Sequence, residues 1–215
     1  MVFNMILNST LETLYMVFFS TIFSLIIGFP IGILLVITKK GGILEKEHLN
    51  KIFEFLINTF RSFPFIILMI LVFPLSRFIV GTTIGSTAAI VPLSISAAPF
   101  VARMIEGALN EVDKGLIEAS SSMGADNWTI IFKVMIPETM PHIIHGITVT
   151  IISLVGFSAM AGTIGAGGLG DLAIRFGYQR FKLDIMIYSV IVIIILVQLI
   201  QTFGNYLVNR VKKHR

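Results

Sequence analysis

Residues Leu116–Pro137 read LIEASSSMGADNWTIIFKVMIP, and they lie between two strongly apolar parts of the chain. The stretch sets Glu118, Asp126 and Lys133 among aliphatic residues at helical spacing. That pattern predicts two short helices meeting at a sharp corner. Leu116–Met123 forms the first, Gly124 takes the left-handed turn that closes it, and Asp126 caps a second that begins at Asn127. Pro137 is expected to end the second helix, because proline has no N–H to donate and its ring crowds the carbonyl four residues back.

Outside this corner the composition is that of a membrane protein. Of 215 residues, 55% are hydrophobic and 13% charged, with a mean hydropathy of +0.92, whereas soluble domains carry about 25% charged residues. The chain has no cysteine, which excludes disulfides and thiolate metal sites. Its net charge of +4 is no sign of nucleic-acid binding, since in a bilayer protein the placement of Lys and Arg matters more than their sum. Residues 1–9 lack a basic leader, and the apolar run after them is too long for a cleaved signal, so it is expected to stay as a span.

Crossing about 30 Å of hydrocarbon takes about 20 helical residues, and five stretches are candidates. The first, Leu14–Ile37, is closed by Lys39, Lys40, Gly41 and Gly42. Its Gly28 and Gly32 would let another helix approach closely, or are simply tolerated there, and Pro30 would kink it. Leu44–Phe60 alternates charges with Ile and Phe and suits a surface helix. Phe63–Phe78 is a short second span. The third, Ile84–Met104, is rich in small residues and interrupted by Pro92 and Pro99, so it should pack against protein. Ile143–Ala161 and Ile185–Val208 complete the set.

Basic residues then orient the spans. With the Lys39 loop inside, the inner set is Lys39, Lys40, Lys46, Lys51, Arg61, Arg103, Lys114, Lys133, Arg210, Lys212, Lys213 and Arg215, 12 residues, against an outer set of Arg77, Arg175, Arg180 and Lys182, 4 residues. This bias predicts the N-terminus outside and the C-terminus inside. The expected architecture is an all-α integral membrane protein of five transmembrane helices, one domain over residues 1–215. Its corner loop, about 105–141, lies in the cytoplasm. Five spans cannot split into matched halves, and no internal repeat is visible.

The corner reads as a docking element. A helix with an apolar face of Leu116, Ala119 and Met123 can lie in a partner's groove, with Glu118 as a polar anchor and Gly124 as the turn. The chain cannot itself be an ATP motor, since a phosphate-binding loop needs Gly-Lys and no such dipeptide occurs. Gly165-Ala166-Gly167-Gly168-Leu169-Gly170 spells a dinucleotide fingerprint, with Asp184 19 residues after Gly165. It follows a membrane helix instead of a strand, so a flexible or tightly packed loop at the outer mouth is the better reading, either a gate or a docking surface. His142 and His145 have metal-ligand spacing, but no acidic or Cys partner is expected beside them, and no metal site is expected. Met160 stands among Ser158, Ala159, Ala161 and Gly162, where a flexible side chain either plugs a narrow path or fills space. No ionisable residue falls near the centre of a span, which argues against an ion-coupled carrier.

The corner also resembles the EAA loop of ABC-importer permeases, whose pattern is Glu-Ala-Ala, three residues, Gly, nine residues, then Ile-x-Leu-Pro. Here Glu118, Ala119 and Ser120 are followed by Gly124 and Ala125, then Val134, Ile136 and Pro137. Ser120, Val134 and Ile136 are conservative departures. Asn58–Leu68 (NTFRSFPFIIL), Ala88–Leu109 (AAIVPLSISAAPFVARMIEGAL), Leu154–Ala161 and Gly165–Gly177 are similar to the permeases of bacterial methionine ABC importers. The resemblance implies a type I importer in the bacterial cytoplasmic membrane. It implies two copies of this chain, two cytoplasmic ATPase subunits, an external methionine-binding protein or lipoprotein, and a small amino acid as substrate. The chain itself would need no cofactor. Leu116, Glu118, Ala119, Ser120, Met123, Gly124, Ala125 and Pro137 would then form the ATPase-docking region. Phe157 and Met160, with Ser158 and Gly162 beside them, would line or close the outer pathway, with Phe157 where the family often has Tyr. Other readings are the same machine for another small solute, a carrier working without ATP, and a nucleotide-binding enzyme.

Overall fold

Small residues decide how the bundle is put together. In this computed structural model, which describes residues 2–213, the long helix α1 (Val2–Thr38) runs against α4 (Ser86–Leu109), the most deeply buried helix of the bundle. A Cβ on Gly28 would stand 2.5 Å from the Ala98 carbonyl oxygen, and one on Gly32 would stand 2.6 Å from that of Ala102. Both distances are below contact, so only glycine allows this approach, as in close membrane helix pairs. Ala97, Ala98, Val101 and Ala102 on α4 are correspondingly buried. The first helix starts at Val2 and not at Leu14. At about 1.5 Å per residue its 37 residues reach about 55 Å, more than the bilayer core.

Helix α2 (Glu47–Ser62) is amphipathic. Asn50 ties it to the end of α1 by donating to the Leu35 carbonyl (2.8 Å) and the Thr38 hydroxyl (3.2 Å). Arg103 of α4 donates to Asn58 at 2.9 Å. Helix α3 (Phe65–Val80) follows after a bend of 108°. With 16 residues it spans about 24 Å, too little to cross alone. Among the described residues four helices are long and apolar enough to span a membrane, or five if the bent α2–α3 pair counts as one crossing.

After α4 comes α5 (Lys114–Ser122), then α6 (Asn127–Thr129), a π-helical segment Ile130–Met135, and α7 (Ile136–Glu138). Pro137 therefore does not stop the second helix of the corner. The π turn already pairs the Ile136 N–H with the Ile131 carbonyl, five residues back, so the proline enters where the four-residue ladder has been opened. Thr139 marks the real break. Its hydroxyl donates to the Met135 carbonyl at 2.9 Å, and its own carbonyl accepts from Ile143. The spans α8 (Met140–Gly162) and α10 (Leu183–Lys213) flank α9 (Gly168–Asp171) and a second π-helical segment, Leu172–Tyr178. Arg215, counted above with the inner cations, lies outside the described residues.

Candidate functional site

The corner is built by local hydrogen bonds. Asp113 caps α5 and starts it at Lys114, two residues before Leu116, its carboxylate accepting from the Gly115 N–H at 2.6 Å. At the other end Gly124 has φ +83°, with Gly124 N–H on the Ser121 carbonyl (2.9 Å) and Ala125 N–H on that of Ser120 (3.2 Å). These two bonds form a Schellman closure of the kind a left-handed glycine makes. Asp126 takes the expected place before α6, in extended backbone, but no side-chain cap bond forms there, and its carboxylate accepts from the Thr129 hydroxyl at 2.5 Å instead. That bond above all holds the exposed carboxyl below its ordinary value against the opposing desolvation, with smaller help from neighbouring backbone N–H groups.

Helix α5 contains no buried residue. Nine residues are too few for a stable isolated helix, so its caps and the inward contacts of Ile117 and Ala125 with the core hold it in place. Leu116, Glu118 and Ala119 are exposed, Ser120 turns its hydroxyl back to the Leu116 carbonyl at 2.7 Å, and Met123 is 88% exposed. Glu118 also borders a cleft of about 150 Å³ with Lys39 and Lys114, at the foot of α1. Beyond the turn, Trp128 (68% exposed) stacks on Phe132, their ring centroids 5.8 Å apart. Pro137 is exposed as well. The aromatic pair extends the apolar surface. The sequence held a signal for it, the i, i+4 spacing of two large aromatics in a polar loop.

The four pathway candidates separate. Ser158 is buried and donates to the Val155 carbonyl at 2.8 Å. Gly162 is packed so tightly on α9 that a Cβ would lie 2.3 Å from the Asp171 nitrogen. Phe157 stacks on Phe65 (centroids 4.5 Å, interplanar angle 11°) at the edge of an open cavity, and Met160 is exposed on α8.

The glycine segment is tightly packed. Glu12 of α1 accepts from the Gly168 N–H at 2.7 Å, and the Thr13 hydroxyl accepts from the Leu169 N–H at 2.9 Å. Sequence reading missed both side chains, which act across 156 residues of chain. Burial raises the Asp171 carboxyl above its ordinary value, the Glu12 charge adds a smaller upward push, and Arg175 at 2.7 Å pulls the other way. The described residues contain no strand, so no dinucleotide unit surrounds the motif. His142 does have an acidic neighbour in space, with Glu111 at 2.8 Å from its Nδ1, yet no group of three metal-ligating side chains forms among the described residues.

Comparison with known proteins follows the same outline. The family described as "Binding-protein-dependent transport system inner membrane component" matches residues 28–214. The "Probable D-methionine transport system permease protein MetI" of Pasteurella multocida is 51% identical over 202 residues, 94% of this chain and 93% of that protein. The "Methionine import system permease protein MetP" of Bacillus subtilis is 48% identical over 96% of this chain and 93% of its own length. A solved structure of the MetNI methionine ABC transporter in an inward-facing conformation superposes with a TM-score of 0.95 at 45% identity, covering 96% of both chains. The all-helical fold is that of a type I ABC-importer permease, and the chain belongs to the family of binding-protein-dependent transport system inner membrane components.

Proposed function

We propose that this chain is the membrane-spanning, non-catalytic subunit of an ATP-driven methionine importer of the bacterial inner membrane, with hydrolysis on a separate ATPase subunit. The observation that carries this is the near full-length likeness, in sequence and fold, to the permease of the methionine ABC transporter. Two copies of the chain would enclose the path, because one bundle packed to protein density leaves little room for water. An external methionine-binding protein would deliver the substrate.

The mechanism follows from the corner. Helix α5 offers Leu116, Ala119 and Met123 to a groove on the ATPase, Glu118 adds a polar anchor, and Gly124 fixes the angle of approach. Closure of the ATPase pair on ATP would move the two corners together, and that motion would pass through the helical run 127–138 into α8, opening the path outward. This places the corner in the cytoplasm and the N-terminus outside, in agreement with the distribution of Lys and Arg. Phe157 and Met160 line or close the path in this reading. The Met160 side chain would act as a flexible plug.

Uptake of labelled methionine by proteoliposomes holding the complete complex tests the reading. Glu118→Ala and Gly124→Pro are expected to lose ATPase co-purification or to uncouple hydrolysis from uptake. Unchanged uptake and co-purification in both variants would refute the docking role. Met160→Ala is expected to leak or to alter affinity, and wild-type transport would make Met160 a packing residue.

A further inference from the structure

Arg61 was grouped above with the inner cations that orient the chain, but the fold carries it further in. It occupies the last turn of α2, just before the bend into α3. There it borders a cavity of about 300 Å³ whose wall includes Ser96, near the middle of α4, and Ser153 and Phe157, in the second half of α8. The Asn50 and Asn58 bonds set the course of α2 and so bring its end to this level. A charged side chain beside the middles of two apolar spans is costly and is retained where it serves a ligand or a partner. Among the described residues Arg61 makes no ion pair and no hydrogen bond.

We infer that this cavity is a substrate subsite in which the Arg61 guanidinium pairs with the carboxylate of the transported amino acid. The stacked rings of Phe65 and Phe157, with Phe100 also in the wall, receive its thioether. The inference rests on the methionine-import reading and names where within this chain the substrate sits. The guanidinium presents a planar fork that fits a carboxylate through two parallel bonds. The bend leaves the first turn of α3 without a side-chain cap, which favours negative charge at the same place. Broken helices at mid-membrane serve substrates in this way in other transporters. The hydroxyl of Ser96 is taken, donating to the Pro92 carbonyl at 2.7 Å. That of Ser153 has no hydrogen bond among the described residues and can accept from the substrate ammonium. Sulfur at the edge of an aromatic ring is a favourable contact, and the cavity is of a size that small ligands fill.

The test is equilibrium dialysis of labelled methionine with the purified permease–ATPase complex in the absence of binding protein, with methioninol, which lacks the carboxylate, as competitor. The wild-type complex should bind methionine about tenfold or more tightly than methioninol, the usual worth of a charge-assisted bond. In Arg61→Gln methionine should weaken by about the same factor, and the preference over methioninol should collapse toward one. Arg61→Lys should fall between, keeping charge but losing the fork. Phe157→Ala should weaken both ligands alike. Intact preference in Arg61→Gln overturns the assignment, whether or not overall affinity falls, because a merely structural arginine would leave the ratio alone. No methionine binding by a wild-type complex that imports methionine overturns it as well. A wild-type complex that imports no methionine in proteoliposomes refutes the import reading first and the subsite with it.

Discussion

Two glycine-bearing corners, residues 122–126 and residues 162–171, look alike in the sequence and are opposites in the fold. At the first, Gly124 is left-handed and a Cβ there would meet nothing within 4 Å. At the second, a Cβ on Gly170 would stand 2.2 Å from the Ala159 carbonyl oxygen, and one on Gly162 would stand 2.3 Å from the Asp171 nitrogen. One glycine is there for its φ, the other two for the missing atom. The open corner turns the backbone at the surface, while the closed one fastens two parts of the same chain together.

Substitutions should separate the two roles. Gly170→Val has to displace backbone, and overpacking of this kind costs about 3 kcal/mol or more. The expected outcome is loss of monodisperse protein on size exclusion. Glu12→Ala comes next, since it leaves the Gly168 N–H without its acceptor at about 1–3 kcal/mol. Hydrogen exchange at Gly168 and Leu169 should accelerate, while Glu12→Gln, which keeps an acceptor oxygen, should change less. Gly124→Ala is smaller, about 1 kcal/mol for a side chain held at positive φ, and should leave the spans intact while weakening ATPase association. If Gly124→Ala aggregates as Gly170→Val does, the corners are not opposites.

The smallest effect concerns pH. The Asp126 carboxyl sits below its ordinary 3.8 in the fold, so its contribution is complete above that value and disappears as pH falls through the folded pKa. The raised carboxyl of Asp171 runs the other way, with a contribution present below 3.8 and lost as pH rises through the folded pKa. Acid should therefore loosen the open corner while it favours the closed one. Trp128, the one tryptophan of the chain, reports on the first directly. Its fluorescence should titrate below 3.8, and Thr129→Val should move that midpoint up toward 3.8.

What the sequence made legible was what neighbours in the chain decide. Gly124 and the spacing of Leu116, Ala119 and Met123 place the corner because a left-handed turn and a helical face depend on a few adjacent residues, and Asp126 marks where α6 begins without making the cap bond expected of it. Long apolar runs reveal α1, α4, α8 and α10 in the same way. Three features stayed hidden because they depend on what lies across the bundle. Glu12 and Thr13 meet the glycine segment from 156 residues away. Pro137 reads as a stop until the π turn before it is seen. Arg61 looks like one more inner cation until the bend after α2 carries it beside Ser96 and Ser153. The histidine pair shows the same limit, since Glu111 is distant in sequence and adjacent in space.

The seam between α1 and α4 has a mechanical consequence. With the missing β-carbons of Gly28 and Gly32 only 2.5 and 2.6 Å from the carbonyl oxygens facing them, and the branched side chains of Val101 and Ile105 set against the same two glycines, a slide of one residue, about 1.5 Å, would press those side chains into the α1 backbone. The two helices must therefore travel as one rigid plank. Two other glycine contacts of the bundle are made to side chains, Met104 of α4 against Gly146 of α8 and Thr148 of α8 against Gly204 of α10, and side chains can shift where backbone cannot. Change of shape in this bundle is therefore expected at those softer contacts and not along the seam.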